Sequence, residues 1–142
     1  MSQLNIKQAF LSHLLANLPS GINATDVAFE NKAFDPSNKS AWLSAYFIPA
    51  TSAMMGKSIN DRNEERGIYQ VSVFVPLEDP NYDNEQLRII DELKGAFKYN
   101  QEIVYNNTTV SILNSDITSG DENAAWFKRD LSINYLTFTS RG

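Results

Sequence analysis

A single histidine, His13, and no cysteine at all limit what chemistry this chain can do. Without thiolates there are no disulfides, zinc knuckles, iron–sulfur clusters or cysteine nucleophiles. One imidazole cannot build a paired-histidine metal site, and no Gly-x-Ser-x-Gly elbow presents a serine for it to activate. His13 sits among leucines on the flank of a helical segment, the usual place for a structural histidine. Carboxylates are the remaining candidates. Asp61, Glu64 and Glu65 cluster in one stretch, and Asp116, Asp121 and Glu122 in another. Neither has the alternating acidic positions, central glycine and distal Glu of a calcium loop. Both are interleaved with Arg, Asn, Ser or Gly, as solvated segments are. The six glycines stand one by one, at 21, 56, 67, 95, 120 and 142, so no phosphate-cradling loop exists. No catalytic residue, metal site or cofactor is expected.

What these residues can do is hold a partner. Met54 and Met55 offer adaptable apolar contact, close to the mixed-charge run Asp61-Arg62-Asn63-Glu64-Glu65-Arg66. Apolar adhesion combined with alternating charge is how an assembly interface joins grip to orientation. The candidate interface is therefore Met54, Met55, Arg62, Glu64, Glu65 and Arg66, with Asp116, Asp121 and Glu122 as the acidic counterpart. Nucleic acid is a poor partner. Twelve Lys and Arg against 17 Asp and Glu give a net charge of -5 and no basic cluster to displace counterions from phosphates. Aromatic residues, 11% of the chain, fall mostly in strand and helix patterns where they pack a core rather than stack on bases.

These side chains must be positioned by a compact fold, and 142 residues suffice for one domain, 1–142, with a real core. Hydrophobic residues at 42% and charged residues at 20% are ordinary for a globular chain. No apolar run approaches the ~20 residues of a membrane-spanning helix, and Met1 to Ala9, with Lys7 alone charged, lack the pattern of a signal peptide. Leu4, Leu11, Leu15 and Leu18 recur at helical spacing, widened by Phe10 and Leu14, and Pro19-Ser20-Gly21 ends that helix. Asn5 and Gln8 have capping-box spacing near its start. Ala41 to Ile48 alternates as a strand, with Trp42, Ser44 and Tyr46 on one face and Leu43, Ala45 and Phe47 on the other; Pro49 is expected to stop it. Gly67 to Val75 alternates likewise and Pro76 closes it. The stretch from Pro49 to Arg66 has no periodicity, so a long functional loop is expected there. A second helix, with a capping box at Asp83 and Gln86, buries Leu87, Ile90, Leu93 and Phe97. Glu102 to Tyr105 and Thr108 to Leu113 flank Asn106-Asn107, a hairpin signal. Trp126 to about Thr139 turns Phe127, Leu131, Ile133 and Tyr135 one way and Lys128, Asp130, Ser132 and Asn134 the other, with Arg129 interrupting the apolar face. The fold class is α+β: a mostly antiparallel or mixed β-sheet with two α-helices packed on one face.

The ordered set of segments resembles the small tail terminator, or tail completion, proteins of long-tailed phages and prophages, the minor tail protein U group. It runs from the helix with Leu14, Leu15 and Leu18 through Val27-Ala28-Phe29-Glu30-Asn31, Phe34-Asp35-Pro36 and the strand from Trp42 to Ala50. Its strongest piece is Gly67-Ile68-Tyr69-Gln70-Val71-Ser72-Val73-Phe74-Val75-Pro76, followed directly by the second helix, and Ser132-Ile133-Asn134-Tyr135 fits near the end. Phe97-Lys98-Tyr99-Asn100 departs from the Arg-Gly turn of that family. The resemblance implies a non-enzymatic virion protein, assembled in the cytoplasm of a bacterial host and located in the tail. It implies a homo-oligomeric ring, commonly a hexamer, that caps the completed tail tube, ends its polymerisation and offers the head-joining surface. Its partners would then be further copies of itself, the tail tube protein and a head-completion or connector protein, with no membrane. DNA would only pass through the lumen, whose acidic lining repels phosphates rather than gripping them. A head–tail connector or other tail component is the neighbouring alternative, and a small-molecule-binding or enzymatic α+β domain the more distant one.

Overall fold

The computed structural model describes residues 3–30, 32–37, 39–54, 62–77, 83–118, 120–123 and 125–140. Helix α1 (Gln3–Ala16) is followed by a short 3-10 turn (Ala24–Asp26) and strands β1 (Val27–Phe29), β2 (Trp42–Met54) and β3 (Arg62–Pro76). Helix α2 (Asn84–Ala96) then leads to β4 (Glu102–Tyr105), β5 (Thr108–Ile117), β6 (Asp121–Asn123) and β7 (Trp126–Ser140). The strands form a seven-stranded sheet in the order β1-β2-β3-β7-β5-β4, with β6 paired to the start of β7. Only β1 and β2 run parallel; the other pairs are antiparallel, so the sheet is mixed.

Both helices lie on one face. The inward rows, Leu43 and Ala45 from β2, Tyr69, Val71 and Val73 from β3, Leu131, Ile133 and Tyr135 from β7, and Val110 and Ile112 from β5, meet Ile6, Phe10 and Leu14 of α1. Ile89, Ile90 and Leu93 of α2 complete the same core with Phe97. Phe10 stacks on Tyr69 at 4.6 Å between ring centroids and lies 5.1 Å from Tyr135, so α1, which lies over β4 and β5, reaches the central strands through this ring. Asn106 and Asn107 adopt φ of 52° and 67°, the left-handed geometry of a tight hairpin turn, as their type predicts. Gly21, at φ 87°, reverses the chain after α1.

Four details differ from the sequence reading, each for a physical reason. The buried side of α1 is Ile6, Ala9, Phe10 and Leu14, whereas Leu4 is 61% and Leu15 38% exposed. The helix carries leucines on both sides, so spacing alone does not choose the phase; the aromatic slot between Tyr69 and Tyr135 does. Neither expected capping box forms. Asn5 lies inside α1, which already begins at Gln3. Asp83 makes no capping hydrogen bond and instead accepts one from Arg129 at 3.0 Å, while the Gln86 amide donates to the Val73 and Phe127 carbonyls.

Pro49 does not stop β2. Ile48 pairs with Ile68 and Thr51 with Arg66, so Pro49 and Ala50 together face Gly67 across a bulge. The missing proline N–H is therefore never required by the ladder. Beyond it, β2 and β3 continue as a paired arm joined by β7 out to Ser140. Most of the expected loop from Pro49 to Arg66 is thus strand, and residues 55–61 lie outside the described residues. Hydropathy does not alternate there because the inward positions that follow Tyr69 and Tyr135 are taken by polar residues, the buried Glu65 and Thr137.

Replacing Phe10 by Ala should cost about 3–5 kcal/mol in denaturant unfolding, while Leu15→Ala should stay within about 0.5 kcal/mol. Equal costs would return the buried face to the leucine stripe. Burial also pushes the Tyr69 and Tyr135 hydroxyls above the ordinary tyrosine range, helped by the charges of Glu30 and Glu65 respectively. Their stabilising contribution is complete below the unfolded pKa of about 10 and is lost as pH rises toward the higher folded values. Ultraviolet titration should show two tyrosines that ionise only as the protein unfolds in alkali.

Candidate functional site

The face of the sheet away from the helices has no covering layer among the described residues, and it holds most of the exposed candidates. At one end Trp42 stacks on Phe74 with centroids 3.8 Å apart and planes 2° from parallel, and Trp126 meets Trp42 edge-on at 5.8 Å. Next along the strands, the Ser72 hydroxyl donates to Asp130 at 2.6 Å, with the Lys128 ammonium 3.7 Å from the same carboxylate oxygen. Further on, Tyr46 and Ile48 are 44% and 42% exposed. Asn134 donates to Asn114 across β7 and β5 at 2.5 Å. A shallow groove here is lined by Arg66, Gly67, Ile68, Leu113, Asn114, Asn134 and Tyr135. It gathers no acid–base pair and no nucleophile.

The predicted interface residues are divided between the two ends of this sheet. Arg66 is exposed and stands opposite Leu136 of β7. Asp116, in β5 rather than in a loop, stands exposed opposite Ser132, and Asp121, in β6, opposite Lys128. Counting along β7 at about 3.3 Å per residue, Asp116 lies roughly 13 Å and Asp121 roughly 26 Å from the level of Arg66. Within one subunit the two groups therefore do not meet. Glu122 is exposed opposite Phe127. Glu65 points to the other face and is 6% exposed, opposite Thr137 and close enough to Tyr135 for its charge to disfavour the phenolate. Arg62 and Glu64 belong to β3, opposite Ser140 and Phe138, and Met54 ends β2. Met55 lies outside the described residues.

His13 is occupied structurally. Its Nε2–H donates to the Ala96 carbonyl at 2.7 Å, since a carbonyl only accepts, and its ring meets Phe97 edge-on at 5.0 Å. The imidazole thus ties α1 to the end of α2. Arg88 performs a similar task, donating to the Ser20 carbonyl at 2.9 Å while paired with Glu85 and Glu92 on its own helix. Among the described residues no group of three or more His, Asp or Glu is placed to hold a metal ion, and no helix is long and apolar enough to cross a membrane.

Two surfaces were not singled out by the sequence reading. One is the outer ridge of α1 with Leu4 and Leu15. The other is the edge of β2 beyond its pairing with β1, which ends at Ala45. A signal for the second was present: no charged side chain occurs from Ser40 to Gly56.

A sequence model described as phage tail terminator protein matches residues 5–135. Comparison with curated proteins gives no match. Among solved structures, a protein whose name carries no functional description is similar, at 25% identity, with a TM-score of 0.73 over 96% of each chain. The segments from α1 to β7 that build the helix-backed sheet are those the family model spans, and the chain belongs to the phage tail terminator family, a structural, non-enzymatic component of the virion tail.

Proposed function

We propose that this protein is the subunit of a homo-oligomeric ring, built of six copies as the family resemblance implies, that seats on the finished end of a tail tube. The ring ends tube polymerisation and presents the surface that a head-completion or connector protein joins. The observation that carries this reading is the separation of exposed Arg66 from exposed Asp116 and Asp121 along one sheet. Unlike patches at different ends of a subunit are what a heterologous, ring-forming contact needs, because each patch meets its complement only on the next copy. Arg66 has a role in orienting neighbours, with Met54, Arg62 and Glu64 of β2 and β3, and Met55 next to them in sequence, as the rest of that contact. Glu122 extends the acidic side. Glu65, turned inward, supports the arm from within.

The net charge of -5 per chain supports a lumen through which DNA slides without being held. The same charge accumulates around a closed ring, so complementary contacts at each joint must offset it. Exposed ion pairs contribute about 0–1 kcal/mol each, and salt screens them. Ring formation should therefore be sensitive to ionic strength and concentration.

Arg66→Glu should lower the ring population in light scattering and reduce capping of isolated tail tubes, with the unfolding midpoint unchanged. A folded variant that assembles and caps normally removes Arg66 from the interface. A wild-type protein that stays monomeric at high concentration and is not recruited to tube ends overturns the ring itself.

A further inference from the structure

We infer that copies of this chain join edge to edge, the bare end of β2 in one copy adding to β4 of the next, so that the sheet continues from subunit to subunit. The inference rests on the ring reading above but gives its joints a different charge pairing: with the rows level, Arg66 meets the row of Glu102, and Asp116 and Asp121 lie outside the joint.

An exposed strand edge is a row of unpaired N–H and C=O groups that recruits another strand unless something guards it. Along β2 the guards can be followed one by one. Leu43 to Ala45 are covered by β1. The Phe47 N–H is taken by the Glu30 carboxylate at 2.6 Å. Pro49 and Ala50 form the bulge. Then the guards stop. Thr51 to Met54 pair with β3 on one side and with nothing among the described residues on the other. This stretch also carries no Lys or other charge, the usual device for keeping a strand edge apart.

The far edge of the sheet is β4, which pairs with β5 alone. Its four residues include Val104, 69% exposed, and nearby Tyr99 is 74% exposed. The registers place the two bare edges at one level. Thr51, Arg66, Leu136, Ser111 and Glu102 form one row across β2, β3, β7, β5 and β4. Ser52, Glu65, Thr137, Val110 and Ile103 form the next. Continuing the ladders, Ala53 stands level with Val104 and Met54 with Tyr105.

This matching of levels means that the joint itself adds no offset along the ladder. A heterologous contact closes when each copy is related to the next by rotation alone, and it climbs into a helix when the joined patches lie at different heights. Here Thr51–Met54 and Glu102–Tyr105 flank the same four rows. They also run in the same direction, because three successive antiparallel pairings and a fourth separate them. The joint is therefore parallel, as between copies turned about an axis along the strands. Charge agrees with it. Glu102 of one copy would stand in the row of Arg66 of the next, two strand spacings or about 10 Å away on the open face, a separation at which salt screens the attraction but two long side chains can shorten the gap. The remainder of the joint is uncharged, so chains of net charge -5 meet where they repel least.

The absence of cysteine gives a clean test. Ala53→Cys and Val104→Cys variants, mixed under assembly conditions and treated with an oxidant or a short thiol crosslinker, should yield the mixed dimer in preference to either homodimer. A chain carrying both substitutions should give a covalent ladder that ends at the ring size. Leu4→Cys, exposed on α1, is the collision control. Hydrogen exchange on the unsubstituted protein provides an independent reading: residues 51–54 and 102–105 should gain protection on assembly. Rings that form without the mixed crosslink and without that protection overturn the edge joint while leaving the ring reading intact. A crosslink from Ala53→Cys to tube subunits alone assigns the edge to the tube and overturns the joint between copies. Absence of any oligomer overturns both readings.

Discussion

The contact on which the rest of the architecture depends is the slot that Tyr69 and Tyr135 offer to Phe10. The two tyrosines come from β3 and β7, whose pairing is the longest in the sheet, and their rings stand on the helix side at 4.6 Å and 5.1 Å from Phe10. Large aromatic surfaces at this separation gain both burial and ring-ring attraction. Filling the slot fixes the rotation of α1 and brings His13 to the Ala96 carbonyl. Through that bond and Phe97 it also fixes the approach of α2. One aromatic residue thus sets the relation between the helix layer and the sheet.

With both helices committed to one face, the opposite face and the lateral edges are left for partners. A sheet covered on both sides would bury its surface within the subunit and leave only loops to make contacts. Here much of the described surface away from the helices is regular structure: strand edges, cross-strand rows and exposed side chains held at known spacing. Such a surface is held by ladder bonds, and a preorganised surface loses less entropy in any contact it makes. A protein whose work is to present a shaped surface benefits from building it on strands.

Much of this was legible in the sequence because one face is buried. Alternation along Trp42 to Ile48, Gly67 to Val75 and Trp126 onward identified the strands and their correct faces. The Asn106-Asn107 turn was legible for a different reason, the tolerance of Asn for positive φ. The arm was not legible, because the inward positions next along β3 and β7 are polar, Glu65 and Thr137, so hydropathy does not alternate there. Pro49 then misled by looking like a strand terminator, and only the partner strand reveals the bulge that accommodates it. Glu65 illustrates the same limit at the level of the site. Its neighbours in sequence are charged, and its inward direction follows from register with Thr137 rather than from composition. Asp121 and Glu122 belong to a strand of three residues, which is too short to carry a pattern.

The position of β7 has a consequence for the timing of folding. It follows every other element in the chain, yet it lies between β3 and β5 in the sheet. Until β7 is synthesised, the β2–β3 hairpin and the β4–β5 hairpin have no strand to join them, and Phe10 lacks half of its slot. A ribosome adding about 5–20 residues per second therefore exposes two separate hairpins and two helices for some seconds before the last strand closes them into one body. Contacts of long sequence separation of this kind also fold slowly. The delay has a protective side. The five-strand band does not exist in a nascent chain, so the edge joint proposed above would be open only to a finished chain.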